Sequence, residues 1–175
     1  MDADRIVCVQ GNIVLQDVDA IVNAANPELA EGAGVCGAVF AAAGPELHEA
    51  CRRRAPCPTG EARITDGFRL PARHVIHAVG PVHGACDGRE DELLASAYRS
   101  SLELCDRHAC RSVAFPAIST GIYGFPPREA AVIAIGVVRG WLTGHSRPER
   151  VVFVLFTPDD LELYRETLGS ASGPS

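Results

Sequence analysis

A chain of 175 residues can bury one substantial hydrophobic core but is short for two domains, so we expect a single domain. Its formal net charge of −6, with every basic residue an arginine, argues against a general nucleic-acid-binding surface, which would be basic. The longest apolar run, around residues 130–138, is too short to cross a membrane, and the acidic start does not resemble a signal peptide. We therefore expect a cytoplasmic protein without membrane contact.

The predicted elements alternate between short apolar, β-branched segments and segments with helical periodicity. The predicted strands are 6–9, 20–23, 75–79, 112–115 and 151–156. The predicted helices are 35–52, 90–107, 128–142 and 159–168. This alternation predicts a three-layer α/β/α sandwich with a mixed, mostly parallel sheet. We expect the domain to cover residues 1–168 and the small, polar residues 169–175 to be a disordered tail.

The first Gly-rich loop follows the second predicted strand and opens a helix. Residues 32–37 match the pattern GxGxxG, whose glycines let backbone amides approach a phosphate at a helix N-terminus. As a dinucleotide-binding pattern the match is incomplete, because residues 27–31 separate it from its strand and the expected later acidic residue is missing. A Gly-rich turn without a ligand is the alternative interpretation.

The second loop, residues 116–125, follows the strand that ends at Phe115 and precedes another helix. Its hydroxyls, glycines and aromatic ring are typical of a backbone nest for a diphosphate. Ligands of open α/β sheets bind beyond the carboxyl ends of the strands, where both loops should lie. Together the loops predict a ligand with phosphates in its middle, such as a nucleotide joined to a second group.

The second loop also allows a rival interpretation as a serine hydrolase. Residues 117–121 differ by one residue from the GxSxG nucleophile elbow, which would make Ser119 a nucleophile. That fold needs an acid and then a histidine after the serine. The only later histidine is His145, and no obvious acidic partner precedes it.

The seven cysteines and the histidines form no metal-binding pattern. The number of cysteines is odd and no pair has CxxC spacing, so we expect reduced, mostly buried thiols. His74 and His77 lie three residues apart on a predicted strand and therefore point to opposite faces. We expect no metal site and no cofactor.

Five segments, taken in order, resemble the motifs of the macrodomain family. They are residues 10–13, 18–26, 59–62, 75–81 and 115–124, which read QGNI, VDAIVNAAN, TGEA, VIHAVGP and FPAISTGIYG. Their spacing is similar to that of the MacroD-type branch from about residue 5 to residue 168. The resemblance implies binding of ADP-ribose, removal of single ADP-ribose units from proteins, and deacetylation of O-acetyl-ADP-ribose.

The resemblance also implies roles for residues at the adenine end of the ligand. Asn12 stands where the family usually has Asp, and its carbonyl would accept a hydrogen bond from the adenine amino group. The amide of Ile13 would contact the edge of the ring, and Phe156 would cover its face. For Phe156 the alternative is an aromatic residue of the core.

Other residues would hold the diphosphate and the distal ribose. The diphosphate would be wrapped by Ser119, Gly121, Ile122 and Tyr123, with Gly34 and Val35 contributing from the first loop. The Tyr123 ring would lie near the distal ribose. Asn26 would bind the hydroxyls of that ribose, whereas Asn23 would be a structural residue of the same turn or a second ligand contact.

The main departure from the family pattern is Cys36, where an Asp is usual; Phe40 also replaces a common His. Cys36 could be a nucleophile, since a helix N-terminus lowers a thiol pKa, or a passive residue in a domain that only binds ADP-ribose. The preferred hypothesis is that a water held between the ligand phosphate and Asn26 attacks C1″ of the distal ribose. Asn26 and Cys36 are therefore the candidate catalytic residues, and we expect reduced activity.

Missing residues narrow the expected substrate. The chain has no lysine, which excludes macrodomains with a catalytic lysine, and no adjacent glutamates, which the poly(ADP-ribose) glycohydrolase type needs. Mono-ADP-ribose on acidic side chains of proteins is the best match. The alternatives are a non-catalytic ADP-ribose reader and a hydrolase of ADP-ribose on nucleic acid. We expect a monomer whose partners are ADP-ribose and mono-ADP-ribosylated proteins.

Overall fold

The structure is a computed structural model that describes residues 2–171, in which a six-stranded sheet lies between two layers of helices. The strands are β1 (Ile6–Gln10), β2 (Ala20–Ala24), β3 (Ala62–Asp66), β4 (His74–Ala78), β5 (Ser112–Phe115) and β6 (Arg150–Leu155). The helices are α1 (Gly34–Ala43), α2 (Glu46–Arg54), α3 (Glu90–Arg107), α4 (Pro127–Gly144) and α5 (Pro158–Ala171). Short 3₁₀ turns at Asp2–Arg5 and Ile13–Leu15 flank β1.

The sheet has the strand order β1-β6-β5-β2-β4-β3. Every neighbouring pair is parallel except β3 and β4, which are antiparallel. Because parallel strands end at the same edge, the loops that follow β1, β2, β4, β5 and β6 meet at one side of the sheet. The mixed, mostly parallel sheet predicted from the sequence is confirmed.

Alternating side chains of the strands build a separate core on each face of the sheet. In β6, Val151, Phe153 and Leu155 pack with buried residues of α3, α4 and α5. Val152 and Val154 point to the other face and pack with residues of α1 and α2. Apolar residues on both faces explain why the central strands read as continuous apolar runs, and the three-layer arrangement is confirmed.

The strand β3 was not predicted. Its sequence, ARITD, has buried, half-buried and exposed positions without regular alternation, and it pairs only with β4 at the edge of the sheet. An edge strand needs fewer apolar residues than a central one, so the apolar pattern that identified the other strands is weak here.

The prediction of one helix over 35–52 was wrong, because the chain breaks it at Gly44 and Pro45. Gly44 has a φ of 91° and its amide bonds the Phe40 carbonyl, which ends α1. Pro45 has no amide to continue the helix, so α2 starts anew at Glu46.

Helix α5 extends into the segment predicted to be a disordered tail. Helix α5 continues to Ala171, so residues 169–171 are helical. Residues 172–175, the rest of the predicted tail, lie outside the described residues, as does Met1.

All seven cysteines are free thiols and six of them are buried, as the sequence predicts. Within residues 2–171, no helix is both long and apolar enough to cross a membrane. The same residues contain no group of three or more His, Cys, Asp or Glu placed to hold a metal ion.

We expect Gly44→Ala to lower the free energy of unfolding by about 1–2 kcal/mol, because a side chain is strained at this left-handed φ. Its Cβ would also lie 3.0 Å from Cδ of Arg69. The matched control is Gly140→Ala in α4, where an added Cβ would meet no atom within 4 Å apart from the backbone of its own helix. That change should raise the free energy of unfolding by about 0.5–1 kcal/mol, because alanine has a higher helix propensity than glycine. Urea unfolding measures both, and shifts of the same sign would contradict this account.

Candidate functional site

A cavity of about 660 Å³ lies where the parallel strands end, between the two loops singled out in the sequence. Eleven of the twelve predicted site residues line it: Asn12, Ile13, Asn26, Gly34, Val35, Cys36, Ser119, Gly121, Ile122, Tyr123 and Phe156. Asn23 is the exception, because it is fully buried beneath the first loop. The structure thus brings the predicted residues together from four separate parts of the chain.

The first loop is closed by the side chain of Asn26. Its Oδ1 accepts the Ala30 amide at 3.0 Å, and its Nδ2 donates to the Ala30 carbonyl at 3.0 Å. Nδ2 retains one hydrogen and Oδ1 one lone pair for a further partner. Asn26 is half-buried and lines the cavity, so these remaining groups are available to a ligand.

The loop then passes closely over the start of α1. A Cβ at Gly37 would lie 2.6 Å from the carbonyl oxygen of Gly32, so only glycine fits there without a backbone shift. In the described part of the chain, no side chain caps the first turn of α1. Its free amides and the positive end of its dipole favour an anion at this side of the cavity.

The second loop is held from below by Tyr98, a fully buried residue of α3. The Tyr98 hydroxyl accepts the Ile118 amide at 3.2 Å and donates to the Pro116 carbonyl at 3.3 Å. Sequence reasoning missed Tyr98, because nothing in a helical apolar pattern distinguishes a tyrosine that binds a distant loop from one that only fills the core.

The second loop also presents backbone amides to the cavity. Ser119 adopts a left-handed φ of 68° and its carbonyl accepts the Phe125 amide at 2.9 Å, which curls the chain around Gly121. Within residues 2–171, the amides of Ser119, Gly121, Ile122 and Tyr123 have no hydrogen-bond partner. Successive free amides of this kind bind anions. The two loops therefore offer amides from opposite sides of one cavity.

A close approach joins the second loop to the loop after β4. A Cβ at Gly80 would collide with Oγ of Ser119 and Cγ2 of Ile118. The Ser119 Oγ is buried and has no hydrogen-bond partner among the described residues. The serine-hydrolase alternative is therefore unsupported, since no histidine assists this hydroxyl.

Phe156 lies at one end of the cavity with 86% of its surface exposed. The alternative of a core aromatic residue is therefore wrong. Asn12 lines the same cavity, but its Oδ1 already accepts the Val14 amide at 3.1 Å, which leaves one lone pair for a ligand. Asp160, in the first turn of α5, also lines the cavity and was not predicted; its only sequence signal was an acidic helix start.

Cys36 lies in the first turn of α1 and is 5% exposed. Burial raises the pKa of its thiol, and hydrogen bonds from Asn23 and the Gly32 backbone oppose this effect without reversing it. The negative charge of Glu31 raises the pKa further. The nucleophile hypothesis required a lowered pKa, so the environment of Cys36 argues against it.

Helix α1 supplies no acidic side chain in place of Cys36. Phe40 is 2% exposed, and its ring packs at 4.7 Å on that of His48. The wall formed by α1 therefore presents neither a carboxylate nor an imidazole from positions 36 and 40. Its contribution to the cavity is a thiol and backbone amides.

A buried histidine lies directly behind this wall. Nδ1 of His77 is 3.1 Å from Nδ2 of Asn23, and its Nε2 is 2.9 Å from the Thr65 hydroxyl. Burial lowers the pKa of His77 to about 4, so the ring is neutral at physiological pH. Asn23 thus packs into the interior, as its structural interpretation requires.

Comparisons with known proteins agree with this arrangement. A sequence profile of the Macro domain family matches residues 22–134. An O-acetyl-ADP-ribose deacetylase of Escherichia fergusonii is 49% identical over 94% of this chain and 95% of the relative. ADP-ribose glycohydrolase MACROD2 of Mus musculus is 47% identical over 95% of this chain, which spans 35% of the mouse protein. A solved Oceanobacillus iheyensis macrodomain with ADP has a TM-score of 0.90 and 42% identity, covering 94% of this chain and 90% of that one.

The buried His77 should make stability depend on pH. Its pKa is about 4 in the folded protein against 6.5 in the unfolded chain, so the unfolded state takes up a proton first as the pH falls. The free energy of unfolding therefore has its full value above pH 6.5, and it should fall by up to about 3 kcal/mol as the pH is lowered towards 4. Urea unfolding at pH 7 and pH 4.5 should show a smaller pH effect in His77→Gln than in wild type. The exposed His108→Gln is the control, and equal pH effects in all three proteins would contradict the prediction.

Proposed function

Because the chain belongs to the Macro domain family, we propose that its cavity binds ADP-ribose and that the protein hydrolyses mono-ADP-ribose from acidic side chains of modified proteins. The observation that carries the proposal is the pair of loops whose free amides flank Asn26. Relatives named as an ADP-ribose glycohydrolase and an O-acetyl-ADP-ribose deacetylase support a hydrolase. O-acetyl-ADP-ribose is the second proposed substrate, because it too carries an ester on the distal ribose.

The shape and polarity of the cavity support an elongated ligand with a central diphosphate. The volume of about 660 Å³ is typical of a small-molecule site. In the proposed pose, adenine stacks on Phe156 near Asn12, and the diphosphate lies between the start of α1 and residues 119–123. The distal ribose then reaches Asn26 and Tyr123.

In the proposed reaction, a water lies between a ligand phosphate and the Asn26 amide. Its oxygen bonds to C1″ of the distal ribose while the bond from C1″ to the carboxyl oxygen of the modified side chain breaks. The phosphate oxygen takes the water proton, and the side chain leaves as a carboxylate. The amides of both loops stabilise the charge around the phosphates, so the chain contributes positioning and electrostatics rather than an acid of its own.

One observation favours a second candidate function. Positions 36 and 40 present a thiol and an apolar ring, so no protein carboxylate from α1 is available to orient the water. A domain that binds ADP-ribose without turning it over would have the same cavity. Turnover and binding must therefore be measured separately.

We expect Phe156→Ala to weaken ADP-ribose binding about tenfold, since stacking of a base on an aromatic ring contributes roughly 1–3 kcal/mol. The exposed ring should contribute little to folding, so the free energy of unfolding should change by less than about 0.5 kcal/mol. Calorimetry and urea unfolding measure the two quantities. Phe156→Tyr, which keeps a stacking ring, is the matched control, and unchanged affinity in the alanine variant would contradict the adenine position.

We expect wild-type protein to release ADP-ribose from a protein mono-ADP-ribosylated on glutamate, and Asn26→Ala to lower the rate constant kcat about 10²-fold. The reason is that the variant lacks the amide that positions the water. It also lacks the two hydrogen bonds between the Asn26 side chain and Ala30 that close the loop. An arginine-linked substrate is the control for the leaving group, because a guanidine leaves far less readily than a carboxylate.

The outcomes of this experiment separate the two candidate functions. Release by wild type that persists in Asn26→Ala would contradict the proposed water position. Binding of ADP-ribose without any release would identify a reader. If the protein shows no ADP-ribose binding and no release, the proposed function is overturned altogether.

A further inference from the structure

We infer that Cys36 is a positioning residue whose thiol links the loop carrying Asn26 to the buried Asn23 and His77 pair. The thiol thereby sets where the Asn26 amide lies in the cavity. The kinetic consequence of this inference rests on the proposed function, whereas its structural consequence does not.

The hydrogen-bond chain begins at the edge of the sheet, where its direction can be assigned. The Thr65 hydroxyl donates to the Asp66 carbonyl at 3.2 Å, so Thr65 Oγ1 is an acceptor for Nε2 of His77 at 2.9 Å. The neutral ring has one proton, which we place on Nε2, because the Asn23 Nδ2 that lies 3.1 Å from Nδ1 can only donate. Sγ of Cys51 lies 3.6 Å from the same Nε2 and is a second acceptor for its proton. Nδ1 of His77 is then an acceptor.

The Asn23 amide group donates to both His77 and the sulfur of Cys36. One hydrogen of Nδ2 goes to Nδ1 of His77 at 3.1 Å and the other to Sγ of Cys36 at 3.7 Å. Among the described residues, Oδ1 of Asn23 is buried without a partner. The orientation of the amide is therefore held by its two donated bonds, to His77 and to Cys36, and not by its oxygen.

The thiol of Cys36 then reaches the loop. Its sulfur accepts from Asn23, and its hydrogen is directed to the Ala30 carbonyl at 3.5 Å. The same carbonyl accepts Nδ2 of Asn26 at 3.0 Å, and the Ala30 amide donates to Oδ1 of Asn26 at 3.0 Å. Ala30 is thus held by Asn26 from one side and by Cys36 from the other.

A Cβ added at Gly32 would lie in ordinary van der Waals contact with both side chains, 3.6 Å from Sγ of Cys36 and 3.7 Å from Nδ2 of Asn26. To keep the contacts of Cys36, a side chain at position 36 must accept from Asn23, donate to Ala30 and fit a site that is only 5% exposed. Cysteine meets all three requirements, serine meets the same hydrogen-bonding requirements, and alanine meets only the last.

The test compares Cys36→Ala, Cys36→Ser and the control Cys8→Ala. Cys8 is 6% exposed, similar to Cys36, but packs in the core on the opposite face of the sheet. For each protein we would measure the Kd for ADP-ribose by calorimetry, kcat and KM on the glutamate-linked substrate, and hydrogen exchange of the Ala30 amide by NMR.

We expect Cys36→Ala to lower kcat about tenfold and to speed exchange of the Ala30 amide about tenfold, with the Kd changed less than about threefold. Cys36→Ser should restore both quantities to within about threefold of wild type, because its hydroxyl keeps both hydrogen bonds. Cys8→Ala should leave kcat, Kd and exchange at Ala30 unchanged, which separates positioning from a general loss of stability.

Unchanged exchange at Ala30 in Cys36→Ala would overturn the inference. So would a Cys36→Ser variant that is inactive while its Ala30 amide is protected as in wild type, since the thiol itself would then be reacting. If Cys36→Ala does not fold, kcat and exchange of the Ala30 amide in Cys36→Ser still decide whether the inference holds. If wild type shows no turnover, the proposed hydrolase function fails, and exchange at Ala30 alone decides the inference.

Discussion

The parallel pairing of β2 with β5 is the constraint on which the functional site depends. Ala20 lies opposite Val113 and Ile21 opposite Ala114, so the two strands end side by side. The loop that carries Asn26 and the loop that carries Ser119 are thereby brought to one edge of the sheet. Asn26 and Ser119 are 93 positions apart in the chain, and no local interaction would bring them together.

Backbone amides, rather than cations, give this cavity its affinity for an anion. In the part of the chain that the structure describes, no arginine lines the cavity, and its only charged side chain is Asp160. The uncapped start of α1 and the free amides of Ser119, Gly121, Ile122 and Tyr123 supply the positive potential instead. An acidic protein can therefore hold an anionic ligand without a basic surface. Gly37 and Gly80 matter because a side chain at either position would push these backbones apart.

Beneath the cavity, buried His77, Asn23 and Cys36 form a neutral polar cluster. His77 stays unprotonated because it is buried, and the Cys36 thiol stays protonated for the same reason. Neither group carries charge into the low-dielectric interior, where an unpaired charge is costly. The hydrogen bonds from Asn23 to His77 and Cys36 instead orient the Asn23 amide, and the Cys36 thiol contacts the Ala30 carbonyl of the loop above. The proposed positioning role of Cys36 and the pH-dependent stability expected from His77 would thus rest on one buried cluster.

Local patterns in the sequence determined most of the secondary structure, the three-layer class and the family, and the resemblance to macrodomains is confirmed. Motifs such as NAAN and STGIYG are contiguous, so one sequence reveals them. The break at Gly44 and Pro45 is also local, although the apolar pattern did not reveal it. Tertiary structure alone decided the edge strand β3, the support of Ile118 by Tyr98 and the presence of Asp160 at the cavity. It also decided that Cys36 is buried and bonded to Asn23 and Ala30. These features depend on contacts between residues distant in sequence, and the burial that sets a pKa is a property of the packed fold rather than of neighbouring residues.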